Sequence, residues 1–139
     1  MPFTIREFVV SDTEQVIALW HARGLTRPWN DPAADILRKL SVQPELFLVA
    51  ADQNAVVGSV MAGYDGHRGW LYYLASAADR SGQGIGLALV AEAETRLSAM
   101  GCPKVQLMVR SENDGVLSYY DALGYEDAEV LVRGKRLDS

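Results

Sequence analysis

One cysteine, Cys102, is all the thiol chemistry this chain carries. No disulfide can form within it, and no cysteine-based zinc site can be assembled, so no metal is expected. No apolar run is long enough to span a bilayer, and Met1-Pro2-Phe3-Thr4-Ile5-Arg6 lacks the basic and apolar regions of a signal peptide. Lysine and arginine do not cluster before the short Arg133-Gly134-Lys135-Arg136 stretch, and 13 basic residues face 18 acidic ones. A surface that tracks phosphates needs such clusters, so neither nucleic acid nor membrane is an expected partner. Repeats at solenoid periods and low-complexity segments are also missing. These absences leave a cytoplasmic globular protein as the expectation. With 139 residues, 49% of them apolar, it is read as a single domain over 1–139 that builds a core without staples.

What the chain does have is glycine in one informative place. Ser81-Gly82-Gln83-Gly84-Ile85-Gly86 opens directly into Leu87-Ala88-Leu89-Val90, where apolar residues take helical spacing. A glycine loop can curl tightly and aim successive backbone N–H groups at one point. The helix behind it adds unpaired N–H groups and the positive end of its dipole. The combination is a socket for a phosphate or pyrophosphate.

The rest of the chain reads as alternating strands and helices. Phe3 to Phe8 predicts a first strand. Ser11-Asp12-Thr13-Glu14 has a capping-box pattern ahead of a helix bearing Val16, Ile17 and Trp20 and ending near Gly24. Asp31-Pro32 starts a second helix carrying Ile36, Leu37 and Leu40, with Pro44 marking its end. Leu46 to Ala51, Val56 to Tyr64 and Trp70 to Leu74 predict an antiparallel meander with turns at Asp52-Gln53-Asn54 and Asp65-Gly66. A helix follows from Gly84 to Met100, with Val90, Ala93, Leu97 and Met100 on one face. Lys104 to Arg110 is a further strand. Asn113 caps a last helix bearing Val116, Leu117, Tyr120 and Leu123, closed by Gly124. Tyr125 to Leu137 is read as one or two final strands. The order β-α-α-β-β-β-α-β-α-β(-β) is an α/β domain with a mixed, mostly antiparallel sheet flanked by helices, not a doubly wound Rossmann fold.

This order, with the glycine loop after the fourth strand, resembles the GNAT superfamily of N-acetyltransferases. Leu74-Ala75-Ser76 sits where that family's fourth strand ends. Ser81 to Gly86 matches its loop, which usually begins with Arg or Gln; here Ser81 takes that place and Arg80 precedes it. Asn113 followed by Tyr119-Tyr120-Asp121-Ala122-Leu123-Gly124-Tyr125 resembles its Asn and Tyr-x-x-x-Gly-aromatic segment. Arg27-Pro28-Trp29-Asn30-Asp31-Pro32, Gly63-Tyr64-Asp65-Gly66-His67-Arg68-Gly69 and Gly101-Cys102-Pro103-Lys104 are similar to the bacterial YpeA-type acetyltransferases. The ligand implied for the loop is coenzyme A. Competing phosphate ligands fit less well: a Walker loop needs Gly-Lys-Ser/Thr where Leu87 follows Gly86, and a dinucleotide fingerprint starting at Gly82 needs glycine at 87.

The resemblance implies an acetyl-CoA-dependent N-acetyltransferase acting on a primary amine, either a small molecule or a peptide or protein amino group, by direct attack in a ternary complex. The mild net acidity agrees with a cationic acceptor. Leu74 and Ser76 would line the pantetheine arm, and Ser81, Gly82, Gln83, Gly84, Ile85, Gly86 and Asn113 would complete the coenzyme A site. Tyr120 would be the general acid for the leaving thiolate; helical spacing with Val116 and Leu123 favours it over Tyr119 as the inward ring. The fourth strand carries no carboxylate for a base, which leaves Asp65, His67, Tyr72, Tyr73 or a water chain. Arg27, Trp29 and Asn30, between the first two helices, join Asp65, His67 and Tyr72 as the candidate acceptor set. Asp31 reads most simply as a cap, Trp29 as a packing residue, Cys102 as an inert thiol and His21 as a surface residue. A non-catalytic acyl-CoA sensor on the same fold is the alternative. A homodimer stays open, since late strands would offer an exposed edge.

Overall fold

The computed structural model describes residues 2–109 and 114–138. The chain divides into two units, Met1–Met108 and Val109–Ser139.

The first unit is a five-stranded sheet in the order β1-β2-β3-β4-β5. Its strands are β1 (Thr4–Glu7), β2 (Phe47–Asp52), β3 (Ala55–Tyr64), β4 (Gly69–Ser76) and β5 (Val105–Leu107). Neighbours are antiparallel except β4 with β5, which run parallel. Helices α1 (Thr13–Ala22), α2 (Pro32–Leu40) and α3 (Ile85–Ala99) complete the unit. The expected meander is present, and β5 is shorter than the 104–110 reading.

Alternation along the strands sorts the core into two faces. Phe47 and Val49 of β2, Met61 of β3 and Ala75 of β4 pack with Val16, Leu19, Trp20 and Ile36 of α1 and α2. On the opposite face α3 lies so close that a Cβ on Gly58 would stand 2.5 Å from Ile85 Cγ2 and 3.0 Å from Leu89 Cδ1. Val90, Ala93 and Leu97 are buried as their spacing predicts, whereas Met100 is exposed at the helix end. Leu37 is exposed too, because the inward side of α2 is given partly to charged residues.

The helix starts follow capping chemistry, with one revision. Asp31 Oδ1 accepts from the Ala34 N–H at 3.2 Å, with Pro32 in the first turn, as expected. Ahead of α1 the Ser11 capping box is not formed. A 3-10 turn over Val10–Asp12 takes its place. Asp12 is buried, accepts from Val9 N–H at 2.9 Å and receives both Arg6 guanidinium nitrogens at 2.8 and 2.9 Å.

The second unit holds α4 (Asp114–Ala122). Beyond it, residues 125–138 form neither helix nor strand, so the expected final strands are not there. A strand needs a partner edge to satisfy its backbone, and apolar alternation by itself supplies none. Asn113, expected to cap α4, lies outside the described residues.

Candidate functional site

Strand β4 organises the site. It pairs with β5 only through Gly69↔Val105, Trp70↔Gln106 and Leu71↔Leu107. Past Leu71, its edge away from β3 has no strand partner among the described residues. On the other edge the register slips: Ser59 pairs with Ala75 and Met61 with Tyr72, so β4 carries one extra residue at Tyr73–Leu74. This is a β-bulge, and Tyr73 within it has φ +54°. A left-handed tyrosine costs about 1–2 kcal/mol.

Several contacts hold that conformation in place. The fully buried Ser59 donates from Oγ to the Tyr73 carbonyl at 2.8 Å, and Trp20 Nε1 donates to Ser59 Oγ at 2.9 Å. The Trp20 indole stacks on the Tyr73 ring at 3.7 Å and 10°. The Tyr73 hydroxyl donates to Asp35 Oδ2 at 2.7 Å. Successive strand side chains normally point to opposite faces, and the extra residue cancels that alternation. Tyr72 and Tyr73 therefore line one cavity.

That cavity, of about 310 Å³, is bounded by Asp35, Arg38, Lys39 and Val42 on one side and Met61, Tyr72 and Tyr73 on the other. The first four follow the i, i+3, i+4, i+7 stripe of one helix face. Asp35 Oδ1 accepts from Arg38 Nη2 at 2.6 Å, so both carboxylate oxygens are engaged. Burial raises the Tyr73 hydroxyl well above the usual phenol range, aided by Asp35; burial also raises Tyr72, aided by the charge of Asp65. Both phenols stay protonated. Lys39 is 9% exposed, and burial lowers its ammonium pKa against the opposing pull of Glu45. Asp35, Arg38, Lys39, Val42 and Met61 were not among the sequence candidates. The visible signal was three charged residues at helical spacing beside an apolar face.

The chain leaves β4 through Ala77, whose N–H donates to Val57 O at 2.9 Å, and a 3-10 turn over Ala78–Arg80. Gly82 and Gly84 then take φ +84° and +77°. A Cβ on either would meet nothing within 4 Å, so backbone conformation and not crowding requires glycine there. Ala88 N–H closes the first α3 bond on Gly84 O at 3.0 Å, leaving the Ile85, Gly86 and Leu87 N–H groups ahead of the helical ladder. Ser81, Gly82, Gln83 and Gly84 are exposed while Ile85 is buried against the sheet. The result is an open N–H-lined socket at a helix start, suited to an anion. Arg80 Nη1 instead pairs with Asp52 Oδ2 at 2.7 Å.

Of the expected acceptor residues Tyr72 lines the cavity, Asp65 reaches it through its charge on Tyr72, and Arg27, Trp29, Asn30 and His67 are not among its lining residues. Asp65 Oδ1 accepts from the His67 and Arg68 N–H groups at 2.8 and 2.7 Å, which hold its carboxyl below the usual range, and His67 is exposed. Arg27 Nη1 donates to the carbonyls of Gly24 and Thr26. Trp29 is 59% exposed and Asn30 is exposed as well. Cys102 Sγ turns to Lys104 O at 3.3 Å. Among the described residues no three His, Cys, Asp or Glu side chains converge to hold a metal.

In the second unit Tyr120 is the inward ring of α4, 9% exposed against 39% for Tyr119. It meets Tyr119 and Tyr125 edge-on at 5.3 and 5.7 Å. Burial first, then Tyr119, leaves its hydroxyl pushed up to about 12.

With this geometry in hand, known proteins can be compared. The acetyltransferase (GNAT) family pattern matches residues 14–125. An acetyltransferase of Yersinia enterocolitica is 53% identical over 133 residues, covering 96% of this chain and 94% of that protein. One from Sodalis glossinidius is 54% identical over 134 residues, with the same coverage of both. Among solved structures, AAC(6')-Iy in complex with the bisubstrate analogue CoA-S-monomethyl-acetylneamine superposes with a TM-score of 0.78. It is 18% identical, covering 96% of this chain and 97% of that one. A transcriptional regulator from Bacillus halodurans gives 0.77 at 23% identity, covering 96% and 99%.

Proposed function

This chain belongs to the acetyltransferase (GNAT) family and is an acetyltransferase, and from that premise we propose that it moves an acetyl group from acetyl-CoA to a primary amine held in the cavity beside Tyr73. The observation that carries this reading is the free half of β4. It begins at the bulge, runs past Leu74 and Ser76, and leads directly into the N–H-lined glycine loop. A pantetheine arm bonded along that edge would place its thioester at the bulge and its pyrophosphate on residues 81–86. AAC(6')-Iy, solved with a bisubstrate analogue containing coenzyme A, has the same fold and lends support.

Transfer forms one C–N bond and breaks one C–S bond. The attacking nitrogen gives up a proton to the base, and the departing thiolate, stabilised by a hydrogen bond as it forms, takes its proton from solvent. A β4 backbone N–H near Leu74 polarises the thioester carbonyl. Asp35, the one carboxylate among the cavity residues, attracts the ammonium and keeps lone pairs free beyond its bonds to Arg38 and Tyr73, so it can take the amine proton. Tyr120, near 12, holds its proton at any working pH. Full donation to a thiolate of pKa about 8.5 would run uphill by roughly 5 kcal/mol, so Tyr120 serves as a hydrogen-bond donor that stabilises the thiolate as it forms. The Arg27–Asn30 loop and the Asp65–His67 turn are left to contact larger acceptors.

The family match from 14 to 125 crosses the boundary between the units, which supports reading 1–139 as a single acetyltransferase domain. A cytoplasmic setting agrees with the single free thiol. The test is release of free thiol from acetyl-CoA against a panel of small amines and short peptides, with Asp35→Asn and Tyr120→Phe alongside. Turnover that falls about a hundredfold in each variant, with acetyl-CoA affinity unchanged, is expected. Equal turnover in Asp35→Asn would remove the amine from this cavity.

A further inference from the structure

The cavity contains a cation with no counterpart. Lys39 is nine-tenths buried, yet among the described residues its ammonium forms no hydrogen bond and no ion pair within 4.0 Å. Every other charge around it is matched or distant. Asp35 is bonded to Arg38 and Tyr73. Glu45, in the 3-10 turn Pro44–Leu46, acts only through space, and Tyr72 and Tyr73 on β4 are neutral. Gln43, the nearest amide, is used twice by the Tyr64 backbone, at 2.8 Å each. The ammonium lies over Gly63, where a Cβ would stand 3.7 Å from Nζ. Gly63, paired with Trp70, is two cross-strand pairs along from Met61↔Tyr72, so the site sits at one end of the cavity. Among the described residues no buried side-chain nitrogen lacks a partner, so the stem of Lys39 is buried while its unpaired Nζ opens to the cavity, where an arriving anion can pair with it.

We propose that the amine acceptor carries a carboxylate or phosphate group, which Lys39 receives at the Gly63 end of the cavity while the amine lies at Asp35 and Tyr73. This rests on the acetyl-transfer reading above and names its substrate class. Asp35 and Lys39 stand one helical turn apart, about 5–6 Å at Cβ. That span suits an amine and an anion separated by several bonds better than the adjacent groups of an α-amino acid. The recognition is charge-assisted on both ends and places the nucleophile by fixing the far end of the molecule.

The experiment pairs matched probes. 4-Aminobutyrate is compared with n-butylamine, and O-phosphoethanolamine with ethanolamine, on the full chain and on Lys39→Met and Lys39→Arg. Binding is read by NMR of the Lys39 side chain, assigned through its loss in Lys39→Met. The anionic member of at least one pair should bind about tenfold tighter, equal to about 1.4 kcal/mol, and shift the Lys39 signal. That preference should vanish in Lys39→Met, with affinity for the plain amine kept, and return in part in Lys39→Arg. The pair showing the larger preference separates carboxylate from phosphate. Equal affinities within both pairs, a preference surviving in Lys39→Met, or a Lys39 signal unmoved by every probe overturns the proposal. Thiol release is scored separately. Preference without release sinks acetyl transfer at this cavity and leaves the anion site standing, whereas release with equal kcat/KM within both pairs does the reverse.

Discussion

The glycine loop with α3 and the cavity under α2 are both parts of the first unit, and they are built in opposite ways. The loop is one continuous stretch, Ser81 to Gly86, whose geometry follows from two left-handed glycines and a helix start. The cavity gathers residues 35 to 73 from a helix and two strands, and its shape depends on a single strained tyrosine held by Ser59 and Trp20. Backbone N–H groups do the work in the first region and side chains in the second. If the proposed roles hold, a pyrophosphate on the loop tolerates Ser81 in place of the usual first residue, and an acceptor in the cavity is chosen by one helix face; the two tasks would be physically separated.

The separation can be broken from either side. The largest effect is expected at the α3 face. Gly58→Val would push Cβ into Ile85 and Leu89, and 3.1 Å from the Ala75 carbonyl, costing about 3 kcal/mol. A thermal melt should fall by about 10 °C; an unchanged melt would show that α3 moves freely off the sheet. Next comes Ser59→Ala, which leaves Trp20 Nε1 and the Tyr73 carbonyl unpaired in the core at about 2 kcal/mol. Turnover should drop with it, while acetyl-CoA affinity stays within about twofold. A matching loss of acetyl-CoA affinity would mean that the two regions are not separate.

Gly84→Val asks the converse question. A β-branched residue at φ +77° is strained whatever the space around it. Acetyl-CoA should bind about tenfold more weakly, near 1.4 kcal/mol, and titration of the cavity with 4-aminobutyrate should be unaffected. The smallest effect, and a control distant from both regions, is Asp12→Asn at about 1 kcal/mol, discounted because Arg6 is 40% exposed. Its pH dependence has a definite sign. The Arg6 hydrogen bonds hold the Asp12 carboxyl below its ordinary value, so its stabilisation is complete above a pH of about 4. It is lost as pH falls through the lowered folded value. Melts from pH 7 down to pH 2 should converge for wild type and Asp12→Asn, and a gap that widens in acid would contradict this.

How much of this was readable in advance depends on how local the cause is. The loop, the Asp31 cap, the meander and the inward turn of Tyr120 each follow from short-range chemistry, and each is found. The Ser11 box failed because Asp12 found a better partner in Arg6, six residues back. The last strands are absent because apolar alternation does not by itself supply backbone pairing, and Leu37 faces solvent although it belongs to the apolar spacing of its helix.

By itself, then, the sequence determined the order of the elements from β1 through α4 and the left-handed glycine turn ahead of α3, since these depend on glycine, capping and spacing within a few residues. Only the tertiary structure decided which helix face meets the bulge, that Tyr72 and Tyr73 share a cavity, and that Lys39 lines it without a partner among the described residues. Those depend on a one-residue slip between two strands and on packing between residues far apart in the chain, where no local pattern records the outcome.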